Sequence, residues 1–164
     1  MTIAEGALDI FNEVDGVEVI QKTPLFAKLG YEETSRLAEI MHIERFPKGT
    51  VVLEQDGLGQ ALYIIRSGDV AILRRDTRGQ RDTLGKLGPG ELFGEMSLMD
   101  DQLVSADVEV TSDEAEIVII PRQAFETLLQ SNDKLALKVY KSFCRTLSER
   151  LRKLNVRFAE LNEQ

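Results

Sequence analysis

Residues 87–110 read LGPGELFGEMSLMDDQLVSADVEV, and the rest of the sequence is organised around this segment. Gly88-Pro89-Gly90 indicates a turn, because proline presets its own φ and glycine supplies the positive φ that other residues resist. The segment 96–99 is long enough for one helical turn. Apolar and polar residues then alternate from Leu103 to Val110, which predicts a half-buried strand whose apolar face begins with Val104.

A glycine directly before a short helix is suited to holding a small anion. Gly94 lets a ligand approach the backbone, and the first N–H groups of the following turn have no partner within the helix. The carboxylate of Glu95, beside those groups, is able to accept hydrogen bonds from a sugar hydroxyl. These residues leave one alternative open, an ordinary barrel corner in which Glu95 caps its own helical turn.

This stretch resembles the phosphate-binding cassette of cyclic-nucleotide-binding domains of the catabolite-activator and protein-kinase-A regulatory type. The similarity rests on three segments in the family's order and spacing, FGEMSL at 93–98, PKGT at 47–50 and DGLGQALYIIRSGDV at 56–70. It extends from about Pro24 to the end of the sequence. The resemblance implies a mainly β fold with flanking helices: an eight-stranded antiparallel jelly roll (double-stranded β-helix), N-terminal helices and a long C-terminal dimerisation helix.

The resemblance also implies which residues line a nucleotide pocket: Phe93, Gly94, Glu95, Met96, Ser97, Val104, Ser105 and Ala106. In the family, a Pro-Arg pair follows the helical turn, and its arginine binds the cyclic phosphate. This sequence has Leu103-Val104 at that place. Because Val104 shares the phase of the apolar face, we expect it to line the interior without a charge. Four residues are candidates to replace the missing cation: Arg66, Arg74, Arg81 and Arg145.

The spacing of apolar residues divides the chain into three parts, with helices at 1–42, the jelly roll at 43–121 and helices again at 122–164. A loosely amphipathic helix is expected over 7–22, then short helices after Thr23-Pro24 and from about Tyr31. Period-two runs outside the cassette predict strands at Ile43–Phe46, Val51–Glu54, Leu62–Arg66, Val70–Arg74, Asp82–Leu87 and Glu116–Ile120. A helix follows Pro121, and Ser131 or Asn132 is expected to cap the last one.

The last helix carries an apolar seam with alternating steps of three and four residues: Leu137, Tyr140, Cys144, Leu147, Leu151, Leu154, Phe158 and Leu161. This pattern is typical of the a and d positions of a coiled coil and favours a parallel dimer. Its narrowness argues against a helix that only lies on its own domain. Val139 and Phe143 lie off the seam and are expected to pin the start of the helix to the barrel.

Composition excludes several classes of protein. The net charge of −8 disfavours nucleic acid as a partner. No apolar run is long enough to cross a bilayer, and the acidic N-terminus does not suit a signal peptide, so we expect a cytoplasmic protein without a membrane partner. The single cysteine, Cys144, excludes an intrachain disulfide framework. The sequence ends at Gln164 within a helix, so we expect no direct DNA binding.

Catalysis is not expected. A metal-dependent jelly roll needs several histidine ligands, and the chain has one histidine, His42, which we interpret as structural. Phosphate-loop and nucleophile-elbow motifs do not occur, so no cofactor or metal is predicted. The sequence therefore favours a dimeric regulatory module with weak or altered nucleotide binding. Two alternatives stay open, a ligand-independent scaffold that acts through a protein partner and an ordinary cyclic AMP or cyclic GMP sensor.

Overall fold

The computed structural model describes residues 17–163. It contains eight strands: β1 (His42–Pro47), β2 (Val51–Leu53), β3 (Ala61–Ser67), β4 (Val70–Arg75), β5 (Arg81–Leu87), β6 (Leu92–Phe93), β7 (Asp107–Val110) and β8 (Glu114–Pro121). They form two four-stranded sheets, in the orders β1-β8-β3-β6 and β2-β7-β4-β5. Neighbouring strands pair antiparallel. Two facing antiparallel sheets of this kind confirm the predicted jelly roll.

Helices flank the sheets at both ends of the described chain. Residues 17–22 are helical, and the remainder of the helix expected over 7–22 lies outside the described residues. Then come a 3₁₀ turn and four α-helices: Pro24–Phe26, α1 (Tyr31–Glu39), α2 (Glu95–Asp100), α3 (Arg122–Ser131) and α4 (Asp133–Asn162). Asn132 caps α4, since its side chain accepts a 3.0 Å hydrogen bond from the N–H of Leu135. No helix within 17–163 combines the length and apolarity needed to span a membrane.

Strand β3 is buried on both faces, which explains its unbroken apolar sequence. Leu62 and Ile64 belong to the core between this sheet and the helices, whereas Tyr63 and Ile65 belong to the core between the two sheets. Val139 and Phe143 of α4 lie in the first core, and both are buried. They hold the start of α4 against the domain as the sequence predicted.

Two short segments differ from the sequence prediction. β6 was not predicted, because two residues are too few to show a period. The strand predicted from Leu103 begins only at Asp107. Asp107 is on the polar phase yet is buried, because one carboxylate oxygen accepts a 2.7 Å hydrogen bond from the N–H of Gln55 and the carboxylate lies 3.5 Å from Arg75 and from Arg81.

Candidate functional site

Two glycines allow the cassette helix α2 to pack closely against the barrel. Gly94 precedes α2 with φ +81°, and a Cβ there would lie 2.9 Å from both the carbonyl oxygen of Ala61 and a ring carbon of Tyr63. A Cβ on Gly59 would overlap the Oγ of Ser97. Any side chain at either position would push α2 away from β3, so the position of the cassette depends on both glycines.

A cavity of about 470 Å³ lies beside α2. All eight residues that the sequence assigned to the pocket line it, namely Phe93, Gly94, Glu95, Met96, Ser97, Val104, Ser105 and Ala106. They come from β6, from α2 and from the segment that leads into β7. Apolar residues from the second sheet, including Leu53 and Val108, form the deeper wall.

Val104 points into this cavity as an apolar side chain. It is 5% exposed and belongs to the core between the two sheets. Two backbone hydrogen bonds fix its position, because its N–H donates to the carbonyl of Gly57 at 3.0 Å and its carbonyl accepts from the N–H of Asp56 at 2.8 Å. The place at which the resemblance calls for an arginine is therefore a rigid, uncharged part of the wall.

The four arginines named as possible replacements do not line the cavity. Arg66 lies 3.3 Å from Glu116, and Arg81 lies 2.7 Å from Glu109. Arg74 and Arg145 are likewise outside the cavity lining. The sequence hypothesis that one of these four supplies the missing charge is therefore not supported by their positions.

Within the described part of the chain, the cation that lines the cavity is Arg150 of α4, which sequence reasoning missed. Its guanidinium forms an ion pair with Glu95, which is 4% exposed, and its second terminal nitrogen donates to the carbonyl of Leu92 at 3.5 Å. Arg150 follows the buried Phe143 by seven residues, or about two helical turns, so both face the domain. That spacing was the signal available in the sequence.

The mouth of the cavity is apolar. Leu84, Met96, Leu103 and Leu154 all line the cavity and are each at least half exposed. Asp100 and Ser105 also line it and are exposed. Leu154 belongs to the seam of α4, so the seam passes the opening of the cavity.

Arg122, at the start of α3, ties the far end of the cassette to the helices. Its guanidinium donates to the carbonyls of Gly59 and Ser97, each at 3.3 Å, to Glu126 at 2.8 Å and to Asp101. The hydrogen bond to Glu126 is the main reason that the pKa of Arg122 lies above its ordinary value; burial opposes it and Asp101 adds to it. The side chain thus stays charged and holds three backbone segments together.

The side of the cassette next to β3 is aromatic. The rings of Tyr63 and Phe93 stack with their centroids 4.9 Å apart and their planes 3° from parallel. Burial, together with the charge of Glu44, raises the pKa of the Tyr63 phenol.

His42, outside this region, has its Nε2 2.9 Å from an oxygen of Glu44 at the surface. Residues 17–163 hold no group of His, Cys, Asp or Glu side chains arranged to bind a metal ion.

The seam of α4 is exposed along its whole length. Seven of its members are between 40% and 67% exposed, and Cys144 is exposed as well: Leu137, Tyr140, Leu147, Leu151, Leu154, Phe158 and Leu161. The opposite side of the first turns, with Leu135, Val139 and Phe143, is buried against the domain. Every residue from Leu151 to Glu163 is exposed, so Arg150 is the last point at which α4 is partly buried.

Comparison with known proteins gives consistent matches. The family model for the cyclic nucleotide-binding domain matches residues 43–132. The cyclic AMP receptor protein of Thermus thermophilus is 37% identical over 127 residues, which are 77% of this chain and 58% of that protein. The cAMP-dependent protein kinase regulatory subunit of Aspergillus fumigatus is 26% identical over 110 residues, which are 67% of this chain and 26% of that protein.

A solved structure of a cyclic nucleotide-binding domain from Methylobacillus flagellatus superposes with a TM-score of 0.77 at 26% identity. The match covers 91% of this chain and 83% of that one. The chain spans less than two thirds of the length of the two curated relatives, 58% of one and 26% of the other.

Proposed function

The chain belongs to the cyclic nucleotide-binding domain family, and we propose that it is a non-catalytic, dimeric regulatory module with a degenerate cassette. The observation that carries this proposal is Val104, buried in the cavity wall where the family's phosphate arginine is expected. The cassette is proposed to bind cyclic nucleotides weakly or to have an altered ligand. The proposed module has three parts: N-terminal helices at 1–42, the jelly roll at 43–121 and C-terminal helices at 122–164. The single cysteine fits a cytoplasmic protein.

The loss of the arginine has a large expected effect on affinity. An arginine that grips a buried phosphate makes charge-assisted and often bidentate hydrogen bonds. Truncation of one partner in such a pair costs about 2–5 kcal/mol. At about 1.4 kcal/mol per tenfold change, affinity falls by about 30-fold to several thousand-fold. Gly94, Glu95, Ser97 and Ser105 remain to give residual binding.

The unpartnered seam of α4 supports a dimer. With Leu137 as the first a position, Cys144, Leu151 and Phe158 are also a positions, so each faces its own copy across the axis of a parallel pair. Arg150 and Arg157 then occupy g positions. In a parallel pair these face e positions of the partner helix, which hold Asn155 and Asn162, so like charges do not meet. An antiparallel pair would place g beside g, and a register that sets residues 150 and 157 opposite each other would bring arginines together.

The dimer is tested by sedimentation equilibrium of native protein and two variants. Leu151→Asp should dissociate the dimer, because it places a charge in the seam. Val156→Asp is the matched control, since Val156 is as exposed on the same helix (60% against 59%) but lies off the seam. Mild oxidation or a short bis-maleimide should also join two chains through Cys144. A native monomer, or a dimer that survives Leu151→Asp, would contradict the proposed pairing.

The cassette is tested by calorimetric titration with cyclic AMP, cyclic GMP and a cyclic dinucleotide. We expect weak or undetectable binding by the native chain and a gain of binding in Val104→Arg. Val51→Arg is the control, because Val51 is exposed on β2 and does not line the cavity. Tight binding by the native chain would instead make this an ordinary cyclic-nucleotide sensor.

A second candidate function is a ligand-independent dimeric scaffold for a protein partner. It is favoured by the ion pair between Glu95 and Arg150, which gives the buried carboxylate a partner from within the chain. A cassette without a ligand is then stable as it stands. This candidate predicts that the native chain binds none of the nucleotides and that its dimer is the same with and without them.

A further inference from the structure

We propose that the cavity selects an uncharged, largely apolar ligand that carries a hydroxyl donor, and that it rejects anions. This inference rests on the proposed function, because it concerns the same cavity and the same missing arginine. It goes further by assigning a chemical class to the ligand. The carrying observation is the balance of charge around the cavity, in which the available cation is already paired with a buried acid.

Among residues 17–163, three charged residues line the cavity, namely Glu95, Asp100 and Arg150. Glu95 and Arg150 are paired, which leaves Asp100, exposed at the mouth, as the uncompensated charge. The cavity therefore carries a formal charge of about −1 before any ligand enters. An anion that approaches the mouth meets a charge of its own sign.

An anion beside Val104 would also find no free cation among the lining residues that the structure describes. It would have to take Arg150 away from Glu95, whose side chain is 5% exposed. That exchange would leave a buried carboxylate without its partner and next to a second negative charge, which is strongly unfavourable where water is excluded. An uncharged molecule does not require this exchange.

The walls suit such a molecule. Leu53, Val104 and Val108 form the depth of the cavity, and Leu84 and Leu154 form part of its mouth. A volume of about 470 Å³ lies within the range of small-molecule sites. Apolar lining favours apolar ligand surface, because burial removes that surface from water.

Glu95 gives the cavity one strong hydrogen-bond acceptor. A carboxylate has two oxygens with about four lone-pair sites, and Arg150 approaches Oε1. A ligand hydroxyl can donate to the same carboxylate without breaking the ion pair. Ser97 and Ser105 add hydroxyl groups to the lining, so a hydroxyl-bearing ligand has further partners.

The experiment uses two pairs of probes that differ in charge. N-phenyl-1-naphthylamine is uncharged, and 1-anilinonaphthalene-8-sulfonate adds a sulfonate to the same aromatic amine. Adenosine and cyclic AMP form the second pair, which differs in the phosphate. Fluorescence titration measures the dyes and calorimetry measures the nucleosides, on the full chain, the Val104→Arg variant and the Val51→Arg control.

For the native chain we expect the uncharged member of each pair to bind at least tenfold more tightly. Val104→Arg should reverse the preference by tenfold or more, and Val51→Arg should leave it unchanged. Arg150→Gln provides a second variant that does not insert a charge into the core, and it should weaken binding of the anions further. Dyes held on the exposed seam would give the same ratio in every variant.

Two results would overturn the inference. One is a native chain that binds both members of each pair equally, or neither adenosine nor the uncharged dye. The other is a preference that shifts as much in Val51→Arg as in Val104→Arg. Either result is still compatible with the proposed degenerate cassette, provided that the native chain binds cyclic AMP weakly. Tight binding of cyclic AMP by the native chain would overturn the proposed function itself.

Discussion

Replacement of Arg150 by Gln should destabilise the domain, because the ion pair with Glu95 joins α4 to the cassette across 55 residues of sequence. The side chain of Glu95 is 5% exposed, whereas that of Arg150 is 41% exposed. Breaking a fully buried pair costs about 3–5 kcal/mol, and an exposed pair contributes about 0–1 kcal/mol. With one partner buried and the other partly solvated, we expect a loss of about 1–3 kcal/mol in the free energy of unfolding.

The matched control is Arg157→Gln. Arg157 lies seven residues later on the same side of α4, but it belongs to the fully exposed end of the helix. Both variants remove one positive charge beside the seam, so their difference reports the contacts of Arg150 with Glu95 and with the carbonyl of Leu92. The assays are chemical denaturation and thermal unfolding, both followed by circular dichroism at one protein concentration, because the stability of a dimer depends on concentration. In a chain of this size, Arg150→Gln should lower Tm by about 2–12 °C more than the control.

A double-mutant cycle with Glu95→Gln separates the pair from the other effects of each substitution. The two substitutions together should cost less than the sum of the single ones, by about 1 kcal/mol or more, because the second leaves no stranded charge. Additive effects, or an Arg150→Gln variant as stable as Arg157→Gln, would show that the ion pair does not hold α4 to the cassette.

Three further outcomes are expected. Gly94→Ala should lower the free energy of unfolding by at least about 1 kcal/mol more than Gly79→Ala does. Both glycines have φ +81°, but a Cβ crowds its neighbours only at Gly94. An equal decrease in the denaturant midpoint of the two variants would contradict this. Arg122→Gln should speed hydrogen exchange in the cassette helix more than in the sheets, as measured by mass spectrometry, and uniform acceleration would refute a local role. Burial raises the pKa of Glu33, but hydrogen bonds from Lys138 and the Gly30 N–H and the charges of Lys138 and Lys134 outweigh it and lower that pKa. The folded carboxylate thus adds stability above the ordinary Glu pKa, which is lost as pH falls through the lowered value, so Glu33→Gln should flatten that acid decline in Tm.

Local pattern predicted most of the helices and strands, because most of them are decided by nearby residues, whereas the resemblance to the family implied the jelly roll. The phase of Val104 with the valines of β7 placed it in the interior, although the regular strand begins three residues later. Ser131 or Asn132 was predicted as a cap from its position between two helical patterns, and the side chain of Asn132 makes that bond. Such features depend on neighbours within a few residues, and the sequence displays them directly.

Features that depend on contacts between distant segments were not predictable in this way. The burial of Asp107 follows from Gln55, Arg75 and Arg81, which only the fold brings together. Arg150 reads as one more solvent-facing cation on a basic helix, and its contact with Glu95 exists because α4 crosses the cassette. The four arginines that the sequence offered as replacements lie outside the cavity lining, and Arg150 was not among them. The pairing of the exposed seam stays a prediction.

The central claim is that Val104, in the place of the family's arginine, weakens phosphate binding by the cassette. The most direct measurement is the ratio of the Kd for cyclic AMP of the native chain to that of Val104→Arg. The account predicts a ratio of about 30 or more, from the roughly 2–5 kcal/mol that a phosphate arginine contributes. A native chain that binds cyclic AMP as tightly as the arginine variant, with both folded, would contradict it.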